Sequence, residues 1–221
     1  MINISIDDSL RQACPAIQLA CIYSEVTVHA QNQALWQLID QTCDELAAQM
    51  KTEEIRHLPA IAAARQAYKA CGKDPARYRL SAEALLRRVL SGKGLYRINN
   101  VVDLLNLVSI RTGFSIGGYD ADRISGAIRM GIGQAGEPYE GLGRGVLNIE
   151  GMPVFRDDIG AFGSSTSDSE RTGVTEQTKH FLMVLVSYDT NTKLQEASEM
   201  AQAFLADFAE GKAIENTLIS L

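Results

Sequence analysis

The chain has 221 residues, 46% of them hydrophobic, enough for a single domain, 1–221, with a sizeable core. Its formal net charge of −6 argues against a protein that coats itself in nucleic acid. No window approaches the roughly 18 uninterrupted apolar residues of a membrane-spanning helix, and the start MINISIDDSL lacks the basic and apolar regions of a signal peptide, so a soluble cytoplasmic protein with no membrane partner is expected.

In chain order, short apolar–polar alternations (Ile2, Ile4, Ile6; then Ile17, Leu19, Cys21, Tyr23) predict strands with one buried face. From about Gln33 to Leu58 the spacing turns helical, with Leu35, Leu38, Ile39, Leu46 and Met50 broadly on one side. Pro59 closes that helix and opens the next, AIAAARQAYKA, which Gly72 caps. The connector RYR (77–79) leads to Ser81, the expected N-cap of a helix AEALLRRVLSG that stops at Gly92. Asn99 or Asn100 caps VVDLLNLVSIRT, which ends at Gly113; valine, leucine and isoleucine occupy nearly every side of it, so it is expected to be buried. Beyond Gly113 come glycine-rich strands AIRMGI, GVLNI and PVFRDD, joined by turns such as QAGEP and EGLGRG. GSSTSDSERTG reads as a polar loop, HFLMVLVSYD as an apolar strand, and TKLQEASEMAQAFLADFAEG as an amphipathic helix with Leu194, Ala197, Met200, Ala201, Leu205 and Phe208 inside. Helices before and after a block of turn-linked strands point to an α+β fold, not the regular alternation of a parallel α/β fold.

Charge is unevenly spread. Between Arg65 and Arg97 stand nine basic residues (Arg65, Lys69, Lys73, Arg77, Arg79, Arg87, Arg88, Lys93, Arg97) against Asp74 and Glu83, a local +7 that leaves −13 on the rest. Charges are screened beyond about 8 Å at physiological salt, so a phosphate touching this segment feels the local surplus. A solvated helix face is the bland alternative. Four cysteines (Cys14, Cys21, Cys43, Cys71) without CxxC spacing read as reduced structural thiols, and the three histidines show no ligand-pair spacing. No metal and no cofactor is therefore expected.

Asp103 and Asn106 lie three apart, on one face of an apolar helix. A buried carboxylate needs a partner; these two either tie the helix to the GGYD turn, pair with Arg111 or Arg123, or line a ligand pocket. GLGRG (141–145) and GKG (92–94) lack the full phosphate-loop pattern and are turns. GSSTSDSE has hydroxyls and carboxylates but no neighbouring histidine, so a Ser-His-Asp triad would need a distant base such as His180. Tyr119, Asp120, Asp122 and Arg123 form either part of a site or a turn that bridges itself.

Taken together, RYRLSAEALLRRVLSGKGLYRINNVVDLLNLVSIRTGFSIGGYDADRI and SERTGVTEQTKHFLMVLVS resemble the tRNA-binding and editing domain of the phenylalanyl-tRNA synthetase beta subunit, and more closely the free-standing proteins built on that domain. The likeness spans roughly residues 65 to 190. It rests on Asp103-x-x-Asn106, the glycine step into Tyr119-Asp120, Asp-Arg-Ile at 122–124, and Glu170 to Val174.

The resemblance implies a three-layer β/β/α sandwich and hydrolysis of tyrosine wrongly esterified to the phenylalanine tRNA, with Glu170 accepting the phenol hydroxyl. It also implies substrate contacts from Asp103, Asn106, Tyr119 and Asp120. Where the bacterial synthetase commonly has a histidine, this chain has Gly117. A general base worth typically ~10²–10⁴-fold is thus absent, and the Gly117 and Gly118 amides are the expected oxyanion donors. No aminoacylation core fits in this length. The expectations are a trans-acting aminoacyl-tRNA deacylase, a non-catalytic tRNA or aminoacyl-group binder, or an interaction protein with an inherited pocket. Arg77, Arg79, Arg87, Arg88, Lys93 and Arg97 would contact RNA.

Overall fold

Two four-stranded sheets face each other, and the longer helices lie over the outer face of one of them. The coordinates are a computed structural model describing residues 3–190 and 193–220; Ile2 of the first alternation and Thr192 at the start of the last predicted helix lie outside the described residues. The first sheet runs β1 (Ile4–Ile6), β4 (Ile128–Ile132), β7 (Pro153–Arg156), β8 (Ala161–Ser164), with β1 parallel to β4 and the other pairs antiparallel. The second is antiparallel throughout, in the order β10 (Lys212–Ile219), β2 (Gln18–Glu25), β9 (His180–Ser187), β3 (Ile116–Asp120). Glu140–Gly141 (β5) and Gly145–Val146 (β6) form a small separate hairpin.

Tyr119 shows how the layers stack. Its ring lies between the sheets, edge-on to Phe162 at 4.9 Å and to Phe155 at 6.2 Å. Side chains alternate along a strand, so the preceding Gly118 faces the other way, where a Cβ would meet Leu105 of α5 (Asn100–Thr112) at 2.5 Å. α5 packs against β3, and α6 (Leu194–Ala209) against β2, β9 and β10. The α+β class and its β/β/α layering thus match the sequence expectation.

The helices follow their signals with local departures. Asn99 caps α5 by accepting from the Val102 amide at 2.9 Å, and Gly113 ends it at φ 78°; Asn100 instead ties the helix to the Thr27 and Phe208 carbonyls and the His29 amide. The helix predicted over 33–58 is two elements. α2 (Gln33–Gln49) stops where Met50 and Lys51 turn extended, and a 3₁₀ turn, Thr52–His57, follows, with the Glu54 carboxylate accepting from the Lys51 amide. α3 (Pro59–Ala70) has proline at its start as predicted. α4 (Ser81–Leu90) begins one residue earlier than predicted: Leu80 holds the cap position without a side-chain bond, and the Ser81 amide, free of intrahelical partners, donates to the Ser165 carbonyl. A short helix, α1 (Asp8–Ala13), lies between the first two strands. GVLNI supplies only the two residues of β6, and β10 has no counterpart in the sequence reading: its half-exposed residues carry no apolar stripe.

The serine-rich stretch departs most. GSSTSDSERTG is not a solvated loop: it completes β8 and then threads the interior, with Ser164, Ser165, Thr166, Ser169 and Thr172 all buried. Small hydroxyls can satisfy themselves on nearby backbone. Ser164 does so on the Ser167 carbonyl, while Thr166 meets the Tyr68 hydroxyl at 3.0 Å.

Candidate functional site

The double glycine makes room for protein, not for an open pocket. A Cβ on Gly117 would overlap the Tyr119 hydroxyl and lie 2.5 Å from its Cζ, and Gly163 on β8 presses on the same ring from the other side. The Tyr119 hydroxyl between them donates to Asp168 Oδ1 at 3.0 Å, and the Gly118 amide is directed at Asp168 Oδ2 at 3.4 Å. Burial pushes the Asp168 carboxyl up to about 7, against the lowering effect of those two donors. The sequence reading took Asp168 only as one of the carboxylates of GSSTSDSE and not as the partner of Tyr119, because its partners are about 50 residues away. The Gly118 amide, expected as an oxyanion donor, is here directed at a carboxylate.

Asp120 accepts from Thr178 Oγ1 at 2.8 Å and from the Asp122 amide, with Arg123 at 3.5 Å, and Asp122 pairs with His180 at 2.8 Å. The turn therefore bridges itself, and His180 is engaged there. Asp103 corrects another expectation. It takes neither Arg111, Arg123 nor the GGYD turn but accepts from Trp36 Nε1 at 2.8 Å and the Ile98 amide at 3.0 Å, joining α5 to α2. Burial raises its pKa, opposed by these donors and by Arg97. Asn106, half-buried on the same helix, makes no side-chain hydrogen bond among the described residues.

Glu170 stands elsewhere. It opens a 3₁₀ turn, Glu170–Thr172, and lines an open cleft of about 670 Å³ with Tyr139, Glu140, Val146, Ile159 and Arg171. Its carboxylate is exposed, with the Gly143 amide at 3.5 Å as its recorded partner. Two neighbouring ion pairs are closed: Arg171 grips the buried Asp157 through two bonds of 2.9 and 2.8 Å, and Arg156 grips Glu137 through two of 2.6 and 2.7 Å, whereas Glu140 is a second exposed carboxylate on the cleft. Burial would raise the Asp157 and Glu137 carboxyls, but their arginines and backbone amides hold both below the ordinary range. Val146, Ile159 and nearby Leu142 are large apolar side chains left exposed around this mouth. Glu170 thus stands only two residues after Asp168, the partner of Tyr119 and Gly118, but faces a different space.

Residues 63–209 match the family model described as B3/4 domain. The chain belongs to the B3/4 domain family. Over 112 residues it is 28% identical to the phenylalanine–tRNA ligase beta subunit of Bartonella quintana and 29% identical to that of Bartonella henselae; the match covers 50% of this chain and 14% of each relative. In fold it is similar to an N-terminal fragment of the phenylalanyl-tRNA synthetase beta subunit from Pyrococcus horikoshii, at 15% identity and a TM-score of 0.52, covering 98% of this chain and 54% of the other.

The basic segment of this B3/4 domain is less available than its charge suggests. Lys73 is buried and donates to the Asn148 and Glu150 carbonyls, while Arg65 and Arg87 both bind the buried Glu83. Arg88 stacks on the exposed Tyr96 at 3.6 Å and Arg97 on Trp36 at 4.4 Å. Lys69, Arg77, Arg79, Lys93 and Arg97 remain exposed. No group of three or more metal-binding side chains occurs among the described residues, and no helix there is long and apolar enough to cross a membrane.

Proposed function

We propose that this B3/4 domain is a cytoplasmic tRNA-binding protein that acts in trans as one domain, taking an aminoacyl group on a tRNA end into the cleft beside Glu170. The observation that carries this reading is the state of the Glu170 carboxylate: exposed, in a roomy cleft, with a single distant amide as partner, while the adjacent arginines are held by other carboxylates. An acceptor with spare lone pairs beside apolar walls suits a side-chain hydroxyl, and a site built to bond a hydroxyl rejects the analogue lacking it. The exposed Arg77, Arg79, Lys93 and Arg97 would supply phosphate contacts. Recognition is favoured over hydrolysis because Gly117 brings no base and the Gly118 amide is turned to Asp168.

The test is a gel-shift titration at low salt with uncharged tRNA and with tRNAs carrying tyrosine or phenylalanine, using the parent and Glu170→Gln. Tyrosyl-tRNA should bind the parent more tightly than phenylalanyl-tRNA, and the substitution should remove roughly tenfold of that preference while leaving uncharged tRNA unaffected. No tRNA binding at low salt would sink the reading. Faster decay of the aminoacyl ester with the parent, but not with Glu170→Gln, would replace the binder by a deacylase.

A further inference from the structure

A second, more enclosed cavity of about 350 Å³ lies among the helices, between the start of α3, the end of α5 and the first half of α6. Its walls are apolar, built by Pro59, Ala60, Phe114, Ala197 and Met200. Lys193 and Glu196 stand at its rim and pair with each other at 3.0 Å, cancelling in charge. The remaining charge is Arg111. Its Nε and Nη2 both go to the neutral Thr42 hydroxyl, at 3.2 and 2.9 Å, and it has no carboxylate partner among the described residues. Nη1 thus keeps its donors for something else.

These features define a ligand by elimination. A cation would meet Arg111, and a neutral tail would fill the walls but leave the exposed guanidinium, which packs over Phe204 at 5.6 Å, without an anionic partner. A single negative charge satisfies it, and a carboxylate matches the planar donor fork. The volume sits at the low end of the ~300–1,000 Å³ typical of ligand pockets, so the apolar part is short. The start of α3 adds positive potential of the same sign, because Leu58 offers it no side-chain cap.

We propose that this cavity binds a short amphipathic monocarboxylate, with the carboxylate on Arg111 and the tail against Phe114, Ala197 and Met200. The site is separate from the Glu170 cleft and shares no lining residue with it.

Calorimetric titration of the full chain with octanoate, octanol and octylamine tests it. Octanoate should bind saturably and at least about tenfold more tightly than octanol, the scale of one charge-assisted hydrogen bond, and octylamine should not bind. Arg111→Gln should bring octanoate down to the octanol level, and Met200→Trp, which fills the cavity, should abolish both. Equal binding of octanoate and octanol, no saturable octanoate binding, or undiminished octanoate binding by a folded Arg111→Gln would each overturn the proposal. The comparison of head groups on the parent needs no variant, so it stands even if loss of the Thr42 contact unfolds Arg111→Gln.

Discussion

At the scale of single residues, Asp168 and Gly117 make the sharpest claims. The Asp168 carboxyl is pushed up to about 7 by burial, against about 3.9 in an unfolded chain. Between these values the folded state keeps a proton that the unfolded state releases, so stability is full below about pH 4, falls as pH rises, and levels off above about pH 7. Denaturant titrations at pH 4.5 and 8 should show the parent losing a few kcal/mol more across this window than Asp168→Asn. Parallel profiles for the two proteins would show that the carboxyl is ionised in the fold throughout. Gly117→Ala must displace the Tyr119 ring, which is fully buried and braced by Phe155, Phe162 and Gly163, and should cost about 1–3 kcal/mol as an overpacked core. Combining it with Tyr119→Leu should return part of that loss in a double-mutant cycle. A neutral Gly117→Ala in thermal melts would mean that the ring has room to move.

At the scale of elements, the Asp157–Arg171 pair sets where Glu170 stands. Asp157 is buried at the end of β7 and also accepts from the Ser125, Ile159 and Gly160 amides, so Arg171 binds the Glu170 turn to the β7–β8 connection. Removing one member of a buried pair typically costs about 3–5 kcal/mol. Arg171→Ala should therefore lower stability on that scale and, in a variant still folded at low temperature, weaken aminoacyl-tRNA binding as much as Glu170→Gln does. An unchanged affinity would separate the turn from the site. Elements with local signals were legible from sequence: Asn99 and Gly113 bound α5 as read, and Pro59 starts α3. The serine-rich segment and β10 were not, since burial of small hydroxyls and pairing of a polar edge strand are decided by neighbours remote in sequence.

For the whole molecule, the question is how much of the +7 between Arg65 and Arg97 reaches solvent. Glu83 occupies two arginines and backbone carbonyls occupy Lys73, so the usable surface rests chiefly on Lys69, Arg77, Arg79, Lys93 and Arg97. Replacing any one of these by glutamine should reduce the log–log salt slope of tRNA binding by ~0.7–0.9. Arg87→Gln, by contrast, should lower stability and leave the slope alone, because Arg87 is held by Glu83. A slope indifferent to all five exposed cations would assign RNA contact to another face.

The amino-acid order by itself determined the α+β class, most helix limits and the family likeness, because those rest on contacts a few residues apart and on motifs with set spacing. Only the tertiary structure decided that the space at Gly117 belongs to Tyr119, that Asp103 serves Trp36, that Asp168 holds a raised pKa, and that Glu170 looks into a different recess from the double glycine. Each of these depends on a partner that sequence does not name. Partners about 50 to 70 residues away, such as Asp168 for Tyr119 or Trp36 for Asp103, become neighbours only when two sheets and a helical layer close on one another.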